Sequence, residues 1–222
     1  MPSDIEKQAI LLAAQHKQKP KATPAFLDDD FPTQTGFLRD TAKLICLLCT
    51  RRAGKSMGAG LRLLRAGYAN PGASCLFVAL TRDSAKKIVW KDVFKALNCK
   101  HRLGIRFNET ELSATLPNGS IIYLLGVDTT EDEKEKLLGQ KYAEVVIDEA
   151  ALVLGLDSAW ADAIRPTLID LKGKALFVST PRRGGAFQAF YEGAEGEWAS
   201  DTITSLENPH LPAGEVPRTV EE

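Results

Sequence analysis

Apolar residues follow two spacings along this chain. Continuous apolar runs at residues 44–49, 74–80, 145–148 and 175–180 have the length and turn-rich flanks of buried strands, and the last two end in polar residues. Residues 54–69 and 83–97 instead repeat apolar side chains at helical spacing. Strand, helix and strand in succession predict an α/β fold, with a mainly parallel central sheet covered by helices on both faces. Residues 111–125 alternate around Pro117-Asn118-Gly119-Ser120, a turn sequence, which predicts a β-hairpin inserted before the next core strand. A Gly-rich loop, a short aromatic segment and a weaker strand at 198–204 follow Thr180.

Outside this pattern the chain reads differently. Ser3, with Glu6 three residues on and apolar residues at helical spacing, predicts an N-terminal helix over residues 3–16. Residues 17–30 are rich in Lys, Pro and Asp, as an arm would be, and the Pro-rich tail from Ser205 has nothing obvious to pack on. The expected division is 1–30 helix and arm, 31–204 one α/β domain, and 205–222 C-terminal linker.

The composition is that of a globular chain with one sizeable core: 44% of the 222 residues are hydrophobic and 26% charged. Lys and Arg number 28 against 29 Asp and Glu, a formal net charge of -1, so any contact with nucleic acid has to be local or shared among subunits. No apolar run approaches bilayer length and the N-terminus lacks the order of a secretory signal, so an intracellular protein without a membrane partner is expected. Cys46 and Cys49 form a C-x-x-C inside a strand, without a second pair to complete a zinc site, and core thiols are the expectation. His16, His101 and His210 are scattered and read as surface or structural residues.

Chemistry concentrates where strands end. The run 44–49 leads through Thr50-Arg51-Arg52-Ala53-Gly54-Lys55-Ser56 into a helix, the setting of a phosphate-binding loop. There the backbone N–H groups of Arg51, Arg52, Ala53, Gly54, Lys55, Ser56 and Met57 would cradle phosphates, Lys55 would reach the β and γ phosphates of ATP, and the Ser56 hydroxyl would bind Mg²⁺. Cys49 stands where the usual G-x-x-x-x-G-K-[ST] has its first glycine, so a helix-capping turn is the competing reading. In Val145-Val146-Ile147-Asp148-Glu149-Ala150 an apolar strand ends in two acids, as a Walker B site needs: Asp148 for the metal, Glu149 to polarise the attacking water. Ser179 and Thr180 close another strand and either sense the γ-phosphate or only begin a turn. Gln34, in Phe31-Pro32-Thr33-Gln34, could read an adenine edge or serve as a surface cap. Together these motifs set the expected fold class as a RecA-like P-loop NTPase of the ASCE type.

Over residues 31–212 the chain resembles the large terminase subunit of tailed bacteriophages. The resemblance rests on Phe31-Pro32-Thr33-Gln34 as an adenine motif, Arg51-Arg52-Ala53-Gly54-Lys55-Ser56 as a deviant, arginine-bearing Walker A, Val146-Ile147-Asp148-Glu149-Ala150 as Walker B, and Ser179-Thr180-Pro181 as a coupling motif. Thr81-Arg82-Asp83-Ser84-Ala85-Lys86, Lys136-Leu137-Leu138-Gly139, Arg165-Pro166-Thr167-Leu168-Ile169-Asp170 and Asn208-Pro209-His210-Leu211 fall in the family's order. The resemblance implies Mg²⁺-dependent ATP hydrolysis powering translocation of double-stranded DNA into a capsid, in the cytoplasm of an infected bacterium. Glu149, Lys55 and Arg51 would be catalytic. The implied partners are DNA, a homo-oligomeric ring, a portal protein and a small terminase subunit.

Two departures qualify it. Leu138 occupies the place where many relatives carry an arginine proposed to reach the neighbouring subunit, and among Arg165, Arg182 and Arg183 the last two are the favoured substitutes. The chain also ends before a C-terminal nuclease domain could form, so an ATPase fragment without nuclease activity is expected. A helicase-like ATPase, or an ATP-gated scaffold that does not hydrolyse, are the alternative readings.

Overall fold

The structure, a computed structural model, describes residues 36, 42–193 and 198–211. The expected helix over 3–16, the arm, and residues 212–222 of the tail lie outside them.

Strand β1 (Leu44–Cys49) is followed by α1 (Lys55–Ala69) and β2 (Ser74–Ala79). Then α2 (Arg82–Ala85), a π-helical run (Lys86–Lys95) and α3 (Ala96–His101) continue one another without a break, where the pattern predicted one helix. Strands β3 (Arg106–Asn108), β4 (Ser113–Thr115) and β5 (Ile121–Gly126) come next, then α4 (Glu131–Leu138) and β6 (Tyr142–Asp148). Beyond β6 lie a 3₁₀ turn (Ala150–Leu152), α5 (Leu156–Ser158), a second π-helical run (Ala159–Ile164) and α6 (Arg165–Thr167). Strand β7 (Lys174–Ser179), α7 (Ala186–Tyr191), β8 (Trp198–Ile203) and a 3₁₀ turn (Ser205–Glu207) complete the order.

Among the described residues all eight strands form one sheet, in the order β3-β4-β5-β2-β6-β7-β1-β8. The pairs from β5 to β8 are parallel, and only β3-β4 and β4-β5 are antiparallel. The expected β-hairpin is present as β4 and β5, joined by the turn at residues 117–120. Its second arm, β5, is itself the strand beside β2, pairing Val78 with Leu125, so the hairpin extends the sheet. Gly119, at φ 85°, supplies the left-handed residue that closes its turn.

Two cores lie on the two faces. Ile45, Leu47 and Cys49 of β1 face the side covered by α1 and the first π-helical run, with Leu61, Leu64, Trp90 and Phe94 buried there. Leu44 and Cys46 face the other, where Trp160, Phe177, Phe190 and Trp198 pack ring against ring. Alternation along a strand thus puts the two thiols of the C-x-x-C on opposite faces of the sheet, which rules out a shared ligand. Cys75 is buried as expected of a core thiol, whereas Cys99 is exposed near the end of α3. Gly60 lets α1 approach the π-helical run closely: a Cβ there would stand 2.7 Å from Cγ1 of Val93.

A polar pair is buried with these cores. Arg62 of α1 and Glu144 of β6 are 3% and 4% exposed, and the Arg62 Nε donates to Glu144 Oε1 at 2.6 Å. Burial pushes the Glu144 carboxyl above its usual range, while Arg62 pulls it back.

Candidate active site

Three parallel strands deliver the site to one sheet edge. β7 stands between β1 and β6, so the loops leaving β1 and β6 flank the end of β7 across about 10 Å, two strand spacings. The register sets Leu48 beside Ser179 and Val178 beside Asp148. A crevice at the carboxyl ends of such a sheet is where ligands of open α/β folds bind.

The loop after β1 is shaped by its backbone. Arg52 has φ 60° and Gly54 φ 81°, so the loop turns twice through left-handed conformations before α1 starts. Such a conformation costs a non-glycine residue about 1–2 kcal/mol, and Arg52 accepts that cost. Helix α1 has neither a side-chain cap nor an acid in its first turn. Its leading N–H groups and the positive end of its dipole therefore remain available to an anion, as a phosphate cradle requires. Ala53 is buried at 1%, Met57 packs partly against the first core, and Arg51 and Arg52 are exposed.

Lys55 leaves the first turn of α1 and meets both acids of β6. Its Nζ pairs with Glu149 Oε1 and lies 3.9 Å from Asp148 Oδ1. Ser56, next along the helix, lines the same cavity as Asp148 and helps to lower that carboxyl. Asp148 is 4% exposed, and burial pushes its carboxyl up to about 6, against the opposing pull of Lys55. Glu149 takes a left-handed backbone, φ 52°, where β6 gives way to the 3₁₀ turn, and this swings its side chain out of strand alternation toward Lys55. Thr180 donates to Glu149 Oε2 at 3.2 Å, while Ser179 Oγ is buried and accepts the Ala151 N–H at 3.2 Å. Of the two hydroxyls, Thr180 thus meets the acid and Ser179 the loop behind it.

Lys55, Ser56, Asp148 and Glu149 line a cavity of about 210 Å³ together with Phe77, Ser84 and Ile88. Ser84 was not singled out by the sequence for this cavity. Its signal is the Thr81-x-x-Ser84 start of a helix, where Thr81 Oγ1 accepts the Ser84 N–H at 3.0 Å. Among the described residues no three His, Cys, Asp or Glu side chains gather as a metal cluster. A cation here would have to draw on Asp148, Ser56, water and phosphate oxygens, a donor set that fits Mg²⁺.

The other candidates separate. Gln34 lies outside the described residues. Leu138 is half-buried against the second core. Arg182 and Arg183 are exposed and line a cleft of about 750 Å³ beside the loop after β6, where Leu154 is 95% exposed. Arg165 is exposed at the start of α6, away from the cavity lining. No helix among the described residues is long and apolar enough to cross a membrane.

Comparison with known proteins adds independent findings. No family model matches the chain. It is 30% identical over 183 residues to the terminase large subunit of Escherichia phage T5, across 78% of this chain and 39% of that protein. It is 27% identical over 210 residues to the terminase large subunit of Thermus virus P23-45, across 82% and 42%. The chain thus spans about two fifths of the length of these relatives. Among solved structures, the large terminase ATPase domain of Thermus phage P74-26 matches with a TM-score of 0.66 at 22% identity, over 84% of this chain and 86% of that one. The large terminase of the thermophilic bacteriophage D6E matches with a TM-score of 0.69 at 19% identity, over 86% and 49%. The same D6E protein has been solved with ADP and with ATP-γ-S. The mostly parallel sheet and the likeness to these domains show an α/β fold of the RecA-like class.

Proposed function

With the chain placed among the large terminase subunits of bacteriophages, as their ATPase domain, we propose that it binds and hydrolyses ATP with Mg²⁺ and that hydrolysis drives double-stranded DNA into a capsid. The observation that carries this reading is the convergence of Lys55, Ser56, Asp148, Glu149 and Thr180 on the carboxyl edge of three strands.

Each residue has a task that its position suits. The uncapped start of α1 and Lys55 receive the phosphates. Asp148 and Ser56 hold Mg²⁺, which when bound neutralises phosphate charge. The Lys55 ammonium pairs with Glu149 and neutralises it. Phosphates that draw Lys55 away free the Glu149 carboxylate to orient and deprotonate a water. Thr180 keeps that carboxylate aimed and links it to β7, so loss of the γ-phosphate is felt by the strand between the two loops. Arg51, exposed on the phosphate loop, can reach a bound nucleotide from solvent.

DNA, a ring of like subunits, a portal protein and a small terminase subunit are proposed as partners in an infected bacterial cytoplasm. The first test is phosphate release from ATP and Mg²⁺, measured beside equilibrium binding. Binding without release would favour the ATP-gated scaffold, and neither would remove the nucleotide reading.

A further inference from the structure

The motif Asn208-Pro209-His210-Leu211 has no part in the chemistry above, yet it touches the phosphate loop. β8 runs parallel to β1, with Cys49 beside Ile203, so the two strands leave the sheet together. Three hydrogen bonds then join their exits. Thr50 N–H donates to the Ile203 carbonyl at 3.1 Å, Ser205 N–H donates to Thr50 Oγ1 at 2.7 Å, and Asn208 Nδ2 donates to the Arg52 carbonyl at 2.7 Å. Ser205 is buried at 4%. This segment is therefore packed on the phosphate loop, where the sequence reading gave it nothing to pack on.

The orientation of the Asn208 amide follows from its own turn. Pro209 holds Asn208 in extended backbone, and Leu211 N–H donates back to the Asn208 carbonyl at 3.3 Å. The Asn208 Oδ1 accepts the His210 N–H at 3.0 Å. With its oxygen committed to the turn, only the amide nitrogen can face Arg52. The carbonyl it holds belongs to the left-handed, non-glycine residue whose turn presents the following N–H groups to phosphate.

We infer that Asn208 is a positioning residue of the nucleotide site: it latches the Arg52 carbonyl, and so couples phosphate-loop geometry to the chain that leaves β8. This rests on the nucleotide reading above. Coupling of this kind is reciprocal, so nucleotide that orders the loop also holds the outgoing segment.

Replacing Asn208 by Asp separates latch from turn, because a carboxylate still accepts the His210 N–H but cannot donate to a carbonyl. Calorimetric titration of the wild type, Asn208→Asp and Asn208→Ala with ADP and Mg²⁺ reads the dissociation constant and the binding-competent fraction independently. The latch requires both variants to bind about three- to tenfold more weakly at unchanged stoichiometry, the worth of one hydrogen bond. Should Asn208→Asp not fold, Thr50→Val opens the same seam from the phosphate-loop side and must weaken ADP in the same range. Wild-type affinity in Asn208→Asp, with or without a defect in Asn208→Ala, reduces Asn208 to a turn residue and overturns the latch alone. A wild-type protein that does not bind ADP overturns the nucleotide reading, and the latch with it.

Discussion

The ammonium of Lys55, on the first turn of the phosphate-loop helix, is ion-paired with the carboxylate of Glu149, just past the end of β6. A cation meant for phosphate and a carboxylate meant for water neutralise each other. The pair is only partly buried, with side chains 16% and 29% exposed, so both partners can exchange it for a ligand without stranding a charge in the core.

Opposite consequences for the two partners are expected from this. Lys55→Ala should weaken ATP binding by at least about tenfold, since it removes a direct phosphate contact. Glu149→Gln should bind ATP as tightly as wild type or tighter, because Lys55 is released from its partner, yet turn over about 10²- to 10⁴-fold more slowly. Equilibrium binding and phosphate release decide both. Wild-type release by Glu149→Gln would take that residue out of catalysis.

The buried Arg62–Glu144 pair makes a stability prediction away from the chemistry. Arg62→Leu leaves the Glu144 carboxylate in a core with no guanidinium beside it, and should cost about 3–5 kcal/mol in urea unfolding. Removing both charges in Arg62→Leu/Glu144→Leu should restore most of that loss. A double variant no more stable than the single one would show that the pair does not interact as its geometry implies.

Glu109 sits in the exposed turn between β3 and β4, where Lys95 and Lys86 of the first π-helical run both pair with it. Hydrogen bonding by Lys95, then by Lys86, lowers its carboxyl from 4.5 to about 2. A folded-state value below the unfolded one means stabilisation that is present above about pH 4.5 and lost as pH falls toward 2. Acid unfolding of Glu109→Gln should therefore lack that part of the pH dependence and converge with wild type at the acid end. Parallel curves from pH 6 down to 2 would sink the assignment.

Arg182 and Arg183 follow the strand that carries Ser179 and Thr180, and both are exposed on the cleft beside the loop after β6. An arginine supplied to a neighbour's γ-phosphate is worth about 10³ to 10⁵ in rate. Under conditions that assemble a ring, a mixture of Arg182→Ala/Arg183→Ala with Lys55→Ala should regain turnover that neither protein has alone. Loss of activity in the first protein that mixing does not restore would assign these arginines to their own subunit's site.

Much of the site was legible because its signals are local. Lys55 and Ser56 follow an apolar run and open a helix; Asp148 and Glu149 end another apolar run. Burial writes such periodicities directly into the sequence, and the structure brings these four residues into one cavity. The acidic helix α4 left no such mark, since Glu131–Leu138 is charged almost throughout and has little apolar face to repeat. The hairpin was legible as a turn between alternating runs, but not its place beside β2, because alternation shows that a strand is half-buried without showing which strand lies beside it.

By itself, then, the sequence determined where strands and helices lie in the core and which side chains could meet phosphate, metal and water. Tertiary structure alone decided that β7 would stand between the two loops, that Thr180 would reach Glu149, and that Arg62 would find Glu144. It alone carried Asn208 to the carbonyl of Arg52, 156 residues away. The physical reason is that apolar burial imposes a period on neighbouring residues, whereas strand order leaves none. A backbone carbonyl, which every residue possesses, can accept a hydrogen bond from a distant segment without leaving any trace in its own side chain.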